Sequence, residues 1–245
     1  MAKKHYLVRD LLVYFLSGMK TAFRTGRFAG WIKDLYYFPR WWYYRKRKGN
    51  TLSYSVPWLV FGAIDYLGKW LSADKKVFEY GSGGSTVFFA KRSYAVISVE
   101  HDAEWYHFVK DSLEQQGLKN VDYRLIQPEE IPGFDQLELQ RPGDFISGVG
   151  SFWGMSFERY VNSIAGQQPD LVIIDGRARS SCIAAAMPLI PKGGILLLDN
   201  AERNRYLQPF PELDDTSRWE KIVFEGHFPF GSASILNKTI LFRKK

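Results

Sequence analysis

Apolar positions recur along this chain with two periods, and their alternation lays out an α/β domain. Residues 76–81 (Lys-Val-Phe-Glu-Tyr-Gly) form a short apolar run ending in glycine, too short for a helix and suited to a buried strand. Runs of the same kind stand at 95–99, 121–126, 170–175 and 195–199. Between them, 85–91, 104–116, 157–165 and 180–189 carry helical spacing. Ahead of them, 57–71 sets Leu59, Phe61, Ile64, Leu67 and Leu71 on one helical face. Strands that alternate with helices predict a parallel sheet covered on both sides. The tail breaks the rhythm: 221–225 and 239–243 read as two strands in succession, with 226–237 holding the turns between them. The stretch 128–154 is punctuated by proline and glycine and reads as a long connection.

The first fifty residues follow a different pattern. Residues 6–19 read as an amphipathic helix, and an aromatic and basic segment follows, ending in Arg45, Lys46, Arg47, Lys48, Gly49 and Asn50. A boundary there divides the chain into an arm, 1–50, and a domain, 51–245. Neither an internal repeat nor a low-complexity tract interrupts the domain.

Charge sharpens this division. The arm holds 12 basic residues against Asp10 and Asp34, a net +10, which leaves −3 for the remainder of a chain whose total is +7. The domain is therefore mildly acidic, and the overall basicity is no argument for nucleic acid, which stays an unlikely partner. Arginine and lysine interleaved with Trp31, Tyr36, Tyr37, Trp41, Trp42 and Tyr43 suit a surface that is both apolar and negative, such as a membrane headgroup region or an acidic glycan. The run 11–16 falls far short of the roughly 20 apolar residues of a membrane span, and Asp10 and the lack of a small-residue cleavage site set it apart from a secretory signal. With Cys182 as the lone thiol, no internal disulfide can form. These features lead to an expected cytoplasmic location, with the arm at the inner face of the membrane.

The chemistry concentrates where strands end. Glu79-Tyr-Gly81-Ser82-Gly83-Gly84-Ser85-Thr86 joins the first strand to its helix, and glycines there let the backbone turn sharply and approach a ligand, while the helix offers unpaired N–H groups. A nucleotide-like cofactor is implied. The dinucleotide fingerprint requires a third glycine where this chain has Thr86, so a nicotinamide domain does not fit. About twenty residues on, Glu100 closes the second strand, where a carboxylate can accept both ribose hydroxyls of an adenosine. The fourth strand ends in Asp175-Gly-Arg177-Ala178-Arg179 and the fifth in Asp199-Asn200. Arg177 and Arg179 could clamp an anionic or polyhydroxyl substrate.

Glu-Tyr-Gly-Ser-Gly-Gly-Ser-Thr, Val-Glu-His-Asp, Asp-Gly-Arg-Ala-Arg and Leu-Asp-Asn, in this order from about residue 74 to the end, resemble the motifs of class I S-adenosylmethionine-dependent methyltransferases. The resemblance implies a Rossmann-like methyltransferase fold, a seven-stranded mostly parallel sheet with an antiparallel last strand, to which the helical arm is added. It implies S-adenosylmethionine as cofactor, with Glu79 serving the amino group, the loop Gly81, Ser82, Gly83, Gly84, Ser85 and Thr86 cradling it, Glu100 on the ribose, His101 nearby, Gln127 against adenine and Asp175 facing the methyl. Asp175, Asp199 and Asn200 further resemble the Mg²⁺ ligands of cation-dependent catechol-type O-methyltransferases, although the lysine of that family is replaced by Ala178, and the flanking arginines stay protonated and cannot serve as bases. An Asn/Asp-Pro-Pro-Tyr amino-methylation motif is absent. The expected activity is O-methylation of a sugar, glycan or other small hydroxyl compound, with Asp175, Arg177 and Arg179 at the reacting centre. Phe152, Trp153 and Tyr160, with the arm's aromatics, are expected to form a lid and substrate wall. A Mg²⁺-dependent aromatic O-methyltransferase and a non-catalytic, membrane-associated cofactor-binding scaffold are the alternatives.

Overall fold

A computed structural model describes residues 2–26 and 28–245. Five strands, β1 (Lys76–Tyr80), β2 (Ala95–Glu100), β3 (Val121–Leu125), β4 (Leu171–Ile174) and β5 (Ile195–Leu198), run parallel, each within two residues of its expected bounds. The tail adds β6 (Trp219–Gly226) and β7 (Asn237–Lys244), and β7 inserts antiparallel between β5 and β6. The order across the sheet is β3-β2-β1-β4-β5-β7-β6. The chain thus starts at the middle of the sheet, builds outward through β2 and β3, and returns to the other side of β1 with β4. At such a reversal two strand ends diverge and leave a crevice outside the carboxyl edge of the sheet.

Alternation along the strands gives the sheet two buried faces. Phe78, Tyr80, Val172, Ile174, Leu196, Leu198, Ile240 and Phe242 point to one face, where α7 (Glu158–Asn162) and α8 (Arg179–Ala186) cover them with Tyr160, Val161, Cys182 and Ile183. Val77, Val96, Leu171, Ile173, Leu197 and Leu241 point to the other, against α4 (Phe61–Trp70) and α5 (Gly84–Ala90). α6 (Ala103–Gln115) extends that layer through Val109 and Leu113 against Val87.

The arm forms α1 (Ala2–Thr25), α2 (Phe28–Tyr36) and α3 (Phe38–Lys46), and α1 runs past the expected end of its helix. It is tied to the domain: Tyr14 and Trp41 are fully buried, the Trp41 indole donates to the Gly231 carbonyl at 3.1 Å, and Asp34 accepts from His227 N at 2.8 Å. The His227 ring stacks on Tyr14 with centroids 3.7 Å apart. The long connection 128–154 contains short 3-10 turns and a two-residue strand pairing, Glu129–Glu130 with Met155–Ser156. α7 is shorter than its pattern suggests, because the chain leaves the helix at Ser163 and turns at Gly166, whose φ is +75°.

Candidate functional site

The crevice sits where β1 and β4 part. Gly81 follows β1 with φ +90°, and a Cβ on it would lie 2.9 Å from Gly176 Cα; a Cβ on Gly176 would in turn lie 3.1 Å from Gly81 N and 2.0 Å from the Tyr160 hydroxyl. Only residues without side chains let these two turns pass so closely. Gly84 is pressed from the other side by residues 51–56, whose carbonyls at Thr51 and Val56 would stand 2.2 and 2.4 Å from its Cβ.

Two glutamates hold this loop from below and from the side. Glu79 is fully buried, and its Oε2 accepts from Thr86 Oγ1 at 2.6 Å and Ser98 Oγ at 2.7 Å, while Thr86 Oγ1 accepts from Gly83 N at 3.0 Å. Thr86 therefore closes the loop on itself with its polar atoms turned inward. Burial pushes the Glu79 carboxyl up to about 7 despite hydrogen bonds from Ser85, Thr86 and Ser98, and among the described residues its Oε1 is buried with no hydrogen-bond partner.

Glu100 is equally enclosed but electrostatically opposite. Its Oε2 accepts from Ser82 N at 3.0 Å and Ser82 Oγ at 2.8 Å; its Oε1 accepts from His101 N at 2.7 Å and Asp102 N at 3.0 Å. Burial works to raise this carboxyl, but the His101 side chain and the Asp102 and Ser82 amides override it and hold it at about 2. The result is a fixed negative charge at the tip of β2, beside the glycine turn. Ser82 Oγ also lies 2.7 Å from the Tyr123 hydroxyl, and the Trp105 indole donates to the Ser82 carbonyl at 2.9 Å.

His101 Nδ1 lies 2.7 Å from Glu100 Oε1, and its Nε2 accepts from Arg177 Nε at 3.2 Å. The ring packs edge-on to Phe152 at 5.0 Å and links the β2 and β4 ends. Gln127 is exposed just after β3 on the same edge.

Several expectations require correction. Arg179, expected to clamp a substrate, spends its guanidinium on the protein. It is nearly buried, with Nε donating to the Gly176 carbonyl at 3.0 Å, Nη1 to the Asp199 carbonyl at 2.5 Å and Nη2 to Asp175 O and Oδ1 at 2.7 and 3.0 Å. It positions the Asp175 carboxylate, whose side chain remains 30 % exposed. The same guanidinium stands between the residues expected to hold Mg²⁺. Asp199 spends both oxygens elsewhere, Oδ1 on Thr239 Oγ1 at 2.6 Å and Oδ2 on Asn237 Nδ2 at 2.8 Å, and burial, reinforced by the Asp175 charge, pushes its carboxyl up to about 7. Asn200, with φ +50°, gives its amide to Asn237 Oδ1 at 2.8 Å. A hard dication needs several free oxygens converging on one point, and this donor set does not fit one. Tyr160 is fully buried in the core and cannot wall a substrate, and Trp153, though exposed, packs on Phe134 with centroids 4.7 Å apart. The arm's buried aromatics, Tyr14 and Trp41, lie against the 227–233 segment and form part of the core, not a lid.

Sequence reading missed Trp105 and Tyr123 as partners of the loop's Ser82, and Arg203, Arg205 and Tyr206 beyond β5. The last three carried a signal, a basic and aromatic cluster directly after a strand end. A cavity of about 700 Å³ lies elsewhere, between α2 and β6, lined by Phe28, Tyr37, Val60 and Phe224 among others. Its walls are largely apolar, and size alone does not outweigh the polar convergence at the strand ends.

No family model and no curated protein matches the sequence. Solved structures do match the fold. An rRNA methylase from Streptococcus thermophilus superposes with a TM-score of 0.50 at 12% identity, covering 74% of this chain and 92% of that one. A candidate methyltransferase from Streptococcus mutans, solved with SAH, gives 0.51 at 13% identity over 74% and 94%. A candidate O-methyltransferase from Klebsiella pneumoniae gives 0.50 at 15% over 70% and 73%. With the strand order and the antiparallel β7, these likenesses establish that the chain has the fold of the class I S-adenosylmethionine-dependent methyltransferases.

Proposed function

We propose that this chain is an S-adenosylmethionine-dependent methyltransferase that acts on a hydroxyl of a small sugar, glycan or related compound. The observation that carries the reading is Glu100: an ionised, hydrogen-bonded carboxylate at the tip of β2, beside the turn where Gly81 and Gly176 cross. Fold alone licenses no activity, but an acid so placed matches the needs of a ribose diol. Ser82 Oγ, which now donates to Glu100, is the group that ribose hydroxyls would replace. The unpartnered Glu79 Oε1 beneath the loop is a second point of fit, toward the cofactor's amino group.

S-adenosylmethionine supplies, when bound, an electrophilic methyl on a sulfonium. The protein's share is to align the acceptor oxygen and exclude water, with little covalent work of its own. Asp175 is the residue for the acceptor's proton: it closes β4, is partly open, and is held in place by Arg179. A cation-assisted variant gains no support: both Asp199 oxygens are taken by Thr239 and Asn237, the Asn200 amide is given to Asn237, and Asp175 Oδ1 is taken by Arg179. A nucleic-acid acceptor is disfavoured by the net −3 charge outside the arm.

Calorimetric titration of S-adenosylmethionine into the full chain tests the reading. Micromolar binding is expected, unchanged by EDTA, and weakened by roughly tenfold or more in Glu100→Ala, because hydrogen bonds to a charged group contribute about 1.5–3 kcal/mol each. Folded protein that binds no cofactor sinks the proposal. Binding without methyl transfer to any hydroxyl acceptor favours the scaffold.

We infer further that the arm rests on an anionic membrane surface. Val8, Leu12, Leu16 and Phe23 recur on the outer face of α1, opposite the buried Tyr14, Gly18 and Ala22, and stay exposed. Phe28, Ile32 and Tyr36 repeat the pattern on α2, and the Phe23–Phe28 edge contact at 5.1 Å joins the two stripes. Arg9, Lys20 and Lys33 stand exposed on the same helices. A covering partner must be both apolar and negative, which is the chemistry of an anionic bilayer.

A further inference from the structure

Beyond β5 the chain turns through Asn200 toward Arg203, Arg205 and Tyr206. With Arg177 and Arg179 from the β4 turn, these residues line a cavity of about 80 Å³, walled on the far side by Ile146, Ser147, Gly148 and Val149. Four arginines line it, and no aspartate or glutamate is among the lining residues.

Arg179 is matched by Asp175 at 3.0 Å. The other three are not matched in this way. Arg177 donates to an imidazole, His101, and lies 5.2 Å from the Phe152 ring centre. Arg205 lies 5.2 Å from the centre of the Tyr206 ring. Arg203 Nη1 donates to the Tyr206 hydroxyl at 3.1 Å, and its nearest carboxylate, the exposed Glu202, is 3.8 Å away. Burial alone would raise the Tyr206 phenol; the Arg179 charge, hydrogen bonds from Arg203 and Arg205, and the Arg203 charge bring it below its ordinary value, which reports a positive field inside the cavity. Ala178, between Arg177 and Arg179, sits in the left-handed region at φ +47°, a conformation that costs about 1 kcal/mol or more and fixes how the turn presents both arginines.

We propose that this cavity binds a terminal phosphate of the methyl acceptor, so that the acceptor is a small phosphate monoester whose hydroxyl reaches Asp175. This rests on the methyltransferase reading for the word acceptor, but the anion site stands on its own geometry. Three guanidinium forks converging on one small space repel each other until an anion enters. A monoester dianion, with three terminal oxygens, offers each fork an acceptor and cancels most of the charge. A carboxylate brings one charge and two oxygens, which one fork can satisfy. A diester has chain on both sides, and a pocket this small suits a terminal group. Arg177 also contacts His101, which adjoins Glu100, so an occupied cavity is joined to the cofactor side of the crevice by one side chain.

The test is a calorimetric titration of the full chain with methyl phosphate, dimethyl phosphate and acetate at constant ionic strength, repeated with an Arg203→Gln/Arg205→Gln variant. Both arginines are exposed, so the variant keeps its fold, which its unaltered affinity for S-adenosylmethionine verifies. Methyl phosphate is expected to bind saturably, and both the variant and the other two ligands to show affinity lower by roughly tenfold or more. Failure of methyl phosphate to bind, equal binding of the diester or acetate, or a variant that binds like the wild type overturns the proposal. Cofactor binding is read separately, so an anion site without cofactor binding removes the methyltransferase reading alone, and cofactor binding without an anion site removes this one alone.

Discussion

Glu79 and Glu100 sit on adjacent strands, both enclosed, and the protein pushes their acidities in opposite directions. Burial dominates at Glu79, whose single satisfied oxygen accepts only from hydroxyls, and the carboxyl rises to about 7. Charge-assisted hydrogen bonds from three backbone amides and the neighbouring imidazole dominate at Glu100, which falls to about 2. The sign of each effect on stability follows from linkage. In the unfolded chain Glu79 loses its proton near 4.5, while in the folded protein it keeps the proton to about 7, so the unfolded state is favoured progressively as pH rises between those values. Asp199, raised to about 7 by burial and by Asp175, acts in the same direction. Glu100 contributes stability that is present above the ordinary carboxylate range and is lost only as pH falls toward 2, outside this window. Melting temperature is therefore expected to fall from pH 5 to pH 8. On the order of 3 kcal/mol is linked to a shift the size of Glu79's, and each kcal/mol moves the midpoint by about 2–4 °C in a chain of this size. Glu79→Gln is expected to remove the share of that slope that belongs to Glu79 and to leave the share of Asp199; an equal slope in the variant would show that the loop carboxyl contributes none of it.

At the scale of elements, the cradle depends on α5 starting hard against the 51–56 segment. The clash awaiting a Cβ at Gly84 is with the Thr51 and Val56 carbonyls, both backbone, so neither can swing aside as a side chain would. Gly84→Ala is expected to destabilise by roughly 1–3 kcal/mol or more and to weaken cofactor binding, whereas Gly150→Ala, with nothing within 4 Å, stays within about 0.5 kcal/mol of wild type in a denaturant titration. Similar losses in the two variants would mean that the loop yields more easily than its packing implies. The strands themselves were legible because each is a short apolar run bounded by turns, and the motif residues fell at their carboxyl ends because that is where an α/β sheet exposes its loops. Element ends were less legible: α4 begins at Phe61 and not near Pro57, because Phe61 N is tied to the His227 carbonyl, a partner that local pattern does not reveal. The same holds within the site. Asp199 looked like a metal ligand from its place at a strand end, but its oxygens are taken by Asn237 and Thr239, 38 and 40 residues away on β7. Arg179 looked free for a substrate until its helix turned it back onto Asp175 and the Asp199 carbonyl.

At the scale of the molecule, the arm and the crevice are held by different strands, although Ser17, Lys20 and Thr21 of α1 share a cavity with Glu202 and Asn204 of the loop beyond β5. The crevice opens at the carboxyl edge of the central strands, while the arm is fastened to the far edge of the sheet through Asp34, Trp41 and the 227–233 segment. Inner-face residues of α1 hold the arm in place, which leaves the outer stripe free to meet another surface without disturbing the fold. No helix among the described residues is long and apolar enough to cross a membrane, so attachment would be along the surface. The full chain is expected to co-sediment with vesicles containing phosphatidylglycerol, and to do so weakly with phosphatidylcholine alone, because the apolar stripe supplies area and the +10 arm supplies attraction. High salt should release part of the bound protein by screening that attraction. Leu12→Glu/Leu16→Glu places two charges on side chains that are 55 % and 54 % exposed, so folding and cofactor affinity should persist while vesicle binding falls by about tenfold or more. Unchanged sedimentation of the variant would move the contact away from α1. A concentration-dependent dimer that the same substitutions dissolve would assign the stripe to a second copy of the chain and end the membrane reading.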